Sequence, residues 1–171
     1  MIIRKTVKED LKDVMQIINM ARSYFKSQNI NQWQGPYPCE EDIIKDIEDK
    51  ISYVVVDDKI VAVFVLSFEK DSNYDVLIEG KWLNDNKYGV LHRIAVNDEY
   101  KGSGIGSFII SESIKMAQEN NVYDIRIDTH DDNESMKKLI CKNNFVYCGL
   151  TRVNDGNLRN VYHIHFKDKV C

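Results

Sequence analysis

The chain has 171 residues, 43% of them hydrophobic and 29% charged, which suits one globular domain with a sizeable core. Its net charge of −4 shows no electrostatic footprint for nucleic acid. No apolar run reaches the roughly 18 residues that span a bilayer, and Met1-Ile2-Ile3-Arg4-Lys5 turns charged too soon for a signal peptide, so a cytoplasmic protein is expected.

Taken in order, residues 2–5 read as a short first strand. Thr6 and Glu9 have the spacing of a capping box, opening a helix with Leu11, Val14, Met15, Ile18 and Phe25 on its apolar stripe. This helix should end before Asn29. Residues 32–38 hold both prolines, and Pro36 and Pro38 push their predecessors out of the helical region, which predicts a loop. A second helix is expected from residue 40 to about 50, with Ile43, Ile44 and Ile47 inward.

Two β-branched runs around Asp57-Asp58-Lys59 predict a hairpin. Residues 69–89 are polar and irregular. Residues 90–96 read as a buried strand, and Ile105, Phe108, Ile109, Met116 and Ala117 fall at helical spacing behind it. Residues 122–129 form a further strand. Asp132 or Asn133 caps a helix carrying Met136, Leu139 and Ile140. Residues 145–148 and 161–166 are the last two strands, joined through the turn Asn154-Asp155-Gly156-Asn157. The order β-α-α-β-β-β-α-β-α-β-β predicts an α/β fold around one mixed sheet, as a single domain over residues 1–171.

Between the buried strand and its helix stands Lys101-Gly102-Ser103-Gly104-Ile105-Gly106. Glycines at alternate positions let a backbone approach a ligand closely, and a helix start directs unpaired N–H groups at a phosphate. A P-loop would end in Gly-Lys-Ser/Thr, and here no lysine follows Gly106-Ser107. A dinucleotide turn needs a glycine where Ser107 stands. What fits is [Q/R]-x-x-G-x-[G/A], with Lys101, Gly104 and Gly106 in the first, fourth and sixth places.

With the strand that ends in Ala95-Val96, this loop resembles the coenzyme A pyrophosphate loop of the GCN5-related N-acetyltransferases (GNAT). A second stretch supports the likeness. The family pattern N-x-x-A-x-x-L-Y-x-K-x-G-F is matched at Asn133, Leu139, Lys142 and Phe145, with Met136 for the alanine and Asn144 for the glycine. The chain also resembles a bacterial subgroup of uncharacterised substrate through residues 91–96, Asp128-Thr129-His130 and residues 32–38. The resemblance implies a GNAT-like, mostly antiparallel central sheet flanked by helices, and acetyl-CoA as donor. It implies that the main chain of Ile94, Ala95 and Val96 pairs with the pantetheine arm. The amides of Lys101, Gly102, Ser103, Gly104, Ile105 and Gly106 would hold the pyrophosphate, and Asn133 would hydrogen-bond the pantetheine. A backbone N–H near Val96 would polarise the thioester carbonyl. Dimers are usual in the family, so a homodimer is allowed.

At the family's usual proton-donating tyrosine this chain has Ile140, which leaves Cys141, Tyr147 or unaided thiolate departure. His92 is the candidate base: alternation puts it on the side of Ile94, imidazole exchanges protons near neutral pH, and arylalkylamine N-acetyltransferases look similar across this strand. Asp128 or His130 could face the same cleft. Trp33, Gln34, Tyr37 and Trp82 are the candidates for the acceptor pocket, the acceptor being an amine of a small molecule or peptide. Glu79, Asp128 and Asp131 hint weakly at a cationic amine. His163 and His165 alternate as metal ligands can, yet have no third partner nearby, so a surface face and no metal are expected. Four cysteines, at 39, 141, 148 and 171, show no C-x-x-C spacing and read as free thiols. The alternatives are a coenzyme A-binding module of the same fold that has lost turnover, and a different phosphate-ligand enzyme.

Overall fold

In the computed structural model of the chain, the β-branched runs Ser52–Val56 and Ile60–Ser67 pair as the expected antiparallel hairpin, with Tyr53 opposite Phe64 and Val54 opposite Val63. The structure describes residues 1–154 and 156–167. Asp155 of the last expected turn and Cys171 lie outside the described residues. In chain order the elements are β1 (Ile2–Lys5), α1 (Leu11–Ser27), α2 (Glu40–Glu48), β2 (Ser52–Val56), β3 (Ile60–Ser67), β4 (Glu79–Gly80), β5 (Gly89–Val96), α3 (Ile105–Glu119), β6 (Asp124–Thr129), α4 (Glu134–Lys142), β7 (Val146–Arg152) and β8 (Leu158–His165). This is an α/β fold whose eight strands make a mostly antiparallel sheet.

The chain resolves into two compact units, Met1–Leu66 with His92–Ile109, and Ser67–Leu91 with Ile110 onward. In the first, the strands run β1-β2-β3-β5. Val14, Ile17, Ile18, Ala21 and Phe25 of α1 meet Ile43, Val54, Val63 and Ala95 in one apolar cluster. Each buried Val, Ile or Phe there is worth about 1.5–3 kcal/mol over leaving it exposed. In the second, the strands run β5-β6-β8-β7-β4. There β5 and β6 are parallel, with Gly89 opposite Ile125, and β6, β8, β7 and β4 are antiparallel. Tyr74, Tyr88, Val90, Cys148 and Val161 form its aromatic-rich cluster.

Three expectations are corrected. Thr6 does not cap α1: its hydroxyl lies 2.7 Å from the Ser52 hydroxyl, and its amide donates to the Ser52 carbonyl at 3.0 Å. Asp10 closes the chain instead, accepting the Val7 amide at 2.9 Å and both terminal nitrogens, Nη1 and Nη2, of the Arg4 guanidinium. The Arg4 hydrogen bond holds the Asp10 carboxyl below its usual range against the opposing effect of burial. Residues 69–89 are not wholly irregular, because β4 pairs with β7. A Cβ on Gly149 would stand 1.9 Å from the Glu79 carbonyl oxygen, so this close crossing requires glycine.

The third correction is His163, which is fully buried rather than on a surface face. Its Nδ1 accepts the Leu83 amide at 3.3 Å, so Nε2 carries the proton and donates to Asp124 at 2.9 Å. His165 Nδ1 lies 3.0 Å from the same oxygen. Burial would raise the Asp124 carboxyl, but hydrogen bonds from Asn84, Asn86, His165 and His163 hold it low. Among the described residues no helix is long and apolar enough to cross a membrane. No group of three or more His, Cys, Asp or Glu among them could hold a metal ion.

Candidate active site

In the first unit, β5 delivers the chain to the glycine turn. The Asn97 amide donates to the Val61 carbonyl at 2.9 Å, and its side-chain oxygen accepts the Glu99 amide at 3.1 Å, turning the chain through a short 3-10 segment, Asp98–Tyr100. Gly102 and Gly104 follow at φ of 79° and 89°, a left-handed conformation that costs other residues about 1–2 kcal/mol. Apart from chain neighbours, no heavy atom lies within 4 Å of where a Cβ would stand on either glycine. The turn is therefore an open backbone cradle.

Helix α3 begins directly behind it, with the Phe108 amide donating to the Gly104 carbonyl at 3.0 Å. The amides of Ile105 and Gly106 precede that bond, so they have no carbonyl partner within the helix. They sit at the positive end of a 15-residue dipole. An open glycine cradle at the head of a helix fits a diphosphate. Lys101 at its entrance places its ammonium 2.6 Å from Asp98 and 4.1 Å from the centre of the Tyr24 ring.

Within β5, Arg93 has a φ of 52°. Strict alternation fails at such a residue, so the argument that put the half-buried His92 on the side of Ile94 does not run unbroken through the strand. The loop between α1 and α2 is held by Arg22, whose guanidinium donates to the carbonyls of Pro36, at 3.0 Å, and Pro38. Gln34 donates to the Arg22 carbonyl at 3.2 Å and the Gln32 carbonyl at 3.0 Å, which makes it a brace of this loop. Trp33 packs edge-on against Phe25 at 5.6 Å beside the apolar cluster. Tyr37 is exposed, and its hydroxyl accepts from Arg93 Nε at 3.0 Å.

In the second unit, Asn133 caps α4, its side-chain oxygen accepting the Met136 amide at 3.1 Å. His130 Nδ1 accepts the Asp132 amide at 3.1 Å. Trp82 donates its indole N–H to the Tyr74 carbonyl at 3.0 Å and stacks against the Arg126 guanidinium at 4.1 Å, so its ring is packing for the buried cluster. Ile140 is 0% exposed and fills core. Cys141 is exposed. Tyr147 is half exposed and meets Tyr162 edge-on at 5.6 Å. Partial burial, then the charges of Glu79 and Asp131, push its phenol above the ordinary range. Asp131 is tied to Asn160 at 2.8 Å and to Lys137 at 3.4 Å.

The sequence reading missed Asp46, which sits buried on α2 and pairs with Arg93. A signal existed, since an acid three residues after Ile43 falls on the apolar stripe, and a buried acid there implies a cation elsewhere.

A sequence model described as the acetyltransferase (GNAT) family matches residues 15–145. Streptothricin acetyltransferase A of Bacillus subtilis (strain 168) is 28% identical over 102 residues, 60% of this chain and 56% of that protein; the chain thus spans little more than half of that relative's length. The crystal structure of a GNAT-family acetyltransferase from Streptococcus agalactiae 2603 superposes with a TM-score of 0.90 at 30% identity, covering 98% of this chain and 96% of that one. One from Listeria monocytogenes 4b F2365 shares the fold, with a TM-score of 0.74 at 18% identity over 96% and 94% of the two chains.

Proposed function

The chain belongs to the GNAT family of acetyltransferases, and from that premise we propose that it moves an acetyl group from acetyl-CoA to an amine of a small molecule or peptide by direct attack in a ternary complex. The observation that carries this reading is the open glycine cradle at the head of α3, where Gly102 and Gly104 leave the space over the backbone unfilled. Acetyl-CoA, when bound, supplies the acyl group as a thioester. The amides of residues 101–106 hold its diphosphate, the main chain of Ile94, Ala95 and Val96 takes the pantetheine arm as an added strand, and Asn133 gives that arm a hydrogen bond. A backbone N–H near Val96 stabilises the negative charge that develops on the carbonyl oxygen.

His92 takes the proton that the acceptor ammonium must lose before attack. Ile140, enclosed in core, cannot give one to the departing sulfur. Cys141, which is exposed, and Tyr147, whose phenol is held above its ordinary range, are the candidate donors; a thiolate, with a pKa near 8.5, also leaves unaided. The reading takes residues 1–171 as one acetyltransferase domain, since β5 and α3 each run from one unit into the other.

The test is thiol release from acetyl-CoA across a panel of amines, comparing wild type with His92→Ala. Streptothricin heads the panel, because the Bacillus subtilis relative is named for it. The reading expects release with at least one amine and a fall of about 10²–10⁴-fold in the variant. The burial of Ile140 favours a second reading, a coenzyme A-binding module without turnover. Saturable binding with no release for any amine would establish that one.

A further inference from the structure

Arg93 keeps a left-handed φ of 52° in the middle of β5, between His92 and Ile94. A residue with a side chain holds that conformation only where its surroundings over-determine it. Three groups of the first unit do so. The Asp46 carboxylate of α2 pairs with the guanidinium, the two side chains being 10% and 12% exposed. The Asp42 carbonyl accepts from Nη1 at 3.4 Å. The Tyr37 hydroxyl accepts from Nε at 3.0 Å, with its ring centre 4.9 Å from the guanidinium.

We propose that Asp46 and Tyr37 are positioning residues, which act through Arg93 to hold the left-handed turn that sets the main-chain amides of Ile94, Ala95 and Val96. The proposal rests on the acyltransferase reading, because those amides are where that reading seats the coenzyme arm. It also ties the loop that carries Tyr37 to the coenzyme strand through one guanidinium. The arrangement suits arginine over lysine: a planar fork can meet a carboxylate, a carbonyl and a hydroxyl at once.

The test compares wild type, Arg93→Ala, Arg93→Gly and Tyr37→Phe. Hydrogen exchange at the amides of Ile94, Ala95 and Val96 is measured in ligand-free protein, and coenzyme A affinity by calorimetry. Glycine adopts this φ without an anchor and alanine does not. Arg93→Ala should therefore exchange faster at those amides and bind coenzyme A about tenfold more weakly, a change worth about 1.4 kcal/mol, and Arg93→Gly should recover most of both. A residue that only fills space would give the reverse order, because glycine weakens a strand interior relative to alanine. Tyr37→Phe removes one hydroxyl from an exposed ring and keeps the fold. Its faster exchange at the same amides supports the clasp even where Arg93→Ala does not fold. Arg93→Gly no better than Arg93→Ala, or exchange unchanged in Tyr37→Phe, overturns the proposal. Failure of wild type to bind coenzyme A defeats the acyltransferase reading instead, and the exchange order still judges the clasp.

Discussion

The phenol of Tyr74, 1% exposed, donates a 2.7 Å hydrogen bond to one oxygen of Asp128, and the other oxygen lies 3.9 Å from Nε of Arg159. Asp128 is thus a partnered carboxylate rather than a bare acid, which weakens the case for a cationic acceptor drawn from the acids of this stretch. Burial first, then the Asp128 charge, pushes the Tyr74 phenol well above its ordinary range, so it remains a donor. Tyr74→Phe leaves the carboxylate one donor short and should cost about 1–3 kcal/mol of stability. Urea unfolding checks it, and an unchanged midpoint contradicts the assignment.

Gly104→Ala should lower stability by about 1–2 kcal/mol, because its φ of 89° is left-handed while the space around it is open. The loss is conformational and not steric. Gly35 has equally open surroundings without a left-handed φ, so Gly35→Ala should be neutral or stabilising by up to about 1 kcal/mol. Equal melting temperatures for the two variants would contradict the backbone argument.

Burial holds the His163 imidazole neutral and below its ordinary range, against the pull of its hydrogen bond to Asp124. Asp124, His165 and Arg126 are the charged or titratable groups that act on it. Unfolding exposes an imidazole that takes up a proton near pH 6.5, so the folded state has its full share of stability above about that pH and loses it as the pH falls toward the folded value. Asp124, also held low, adds its own loss only below about pH 4. The melting temperature of wild type should therefore fall between about pH 7 and pH 5, and His163→Gln should flatten that slope. A wild-type profile without a slope there runs against the buried neutral histidine.

The Thr129 hydroxyl is fully buried and has no hydrogen-bond partner among the described residues. Thr129→Val removes an unsatisfied group at nearly constant shape, and should leave stability unchanged or raise it by up to about 1 kcal/mol. Thermal unfolding decides; a drop of more than that would show that the hydroxyl has a structural partner.

Periodicity made most of the fold legible. The three- and four-residue steps of α1 and the β-branched hairpin each left a pattern that a single chain can show. A two-residue strand such as β4 leaves none, and its real signature is the close backbone approach at Gly149. The cradle was readable because two of its glycines, Gly102 and Gly104, are demanded by backbone conformation. The partners of buried polar groups were not readable: Asp46 with Arg93, Tyr74 with Asp128 and His163 with Asp124 join residues 39 to 54 positions apart. Alternation alone does not place His92 relative to Ile94, because Arg93 between them has a left-handed φ that a strand pattern does not reveal.

Calorimetric titration of coenzyme A into wild type and into Gly104→Glu tests most directly whether the backbone at residues 101–106 seats a diphosphate. Wild type should give saturable one-to-one heat, and a carboxylate placed in the cradle should abolish it by charge repulsion while the protein stays folded. Absence of saturable heat in wild type, or full affinity in Gly104→Glu, would contradict the account.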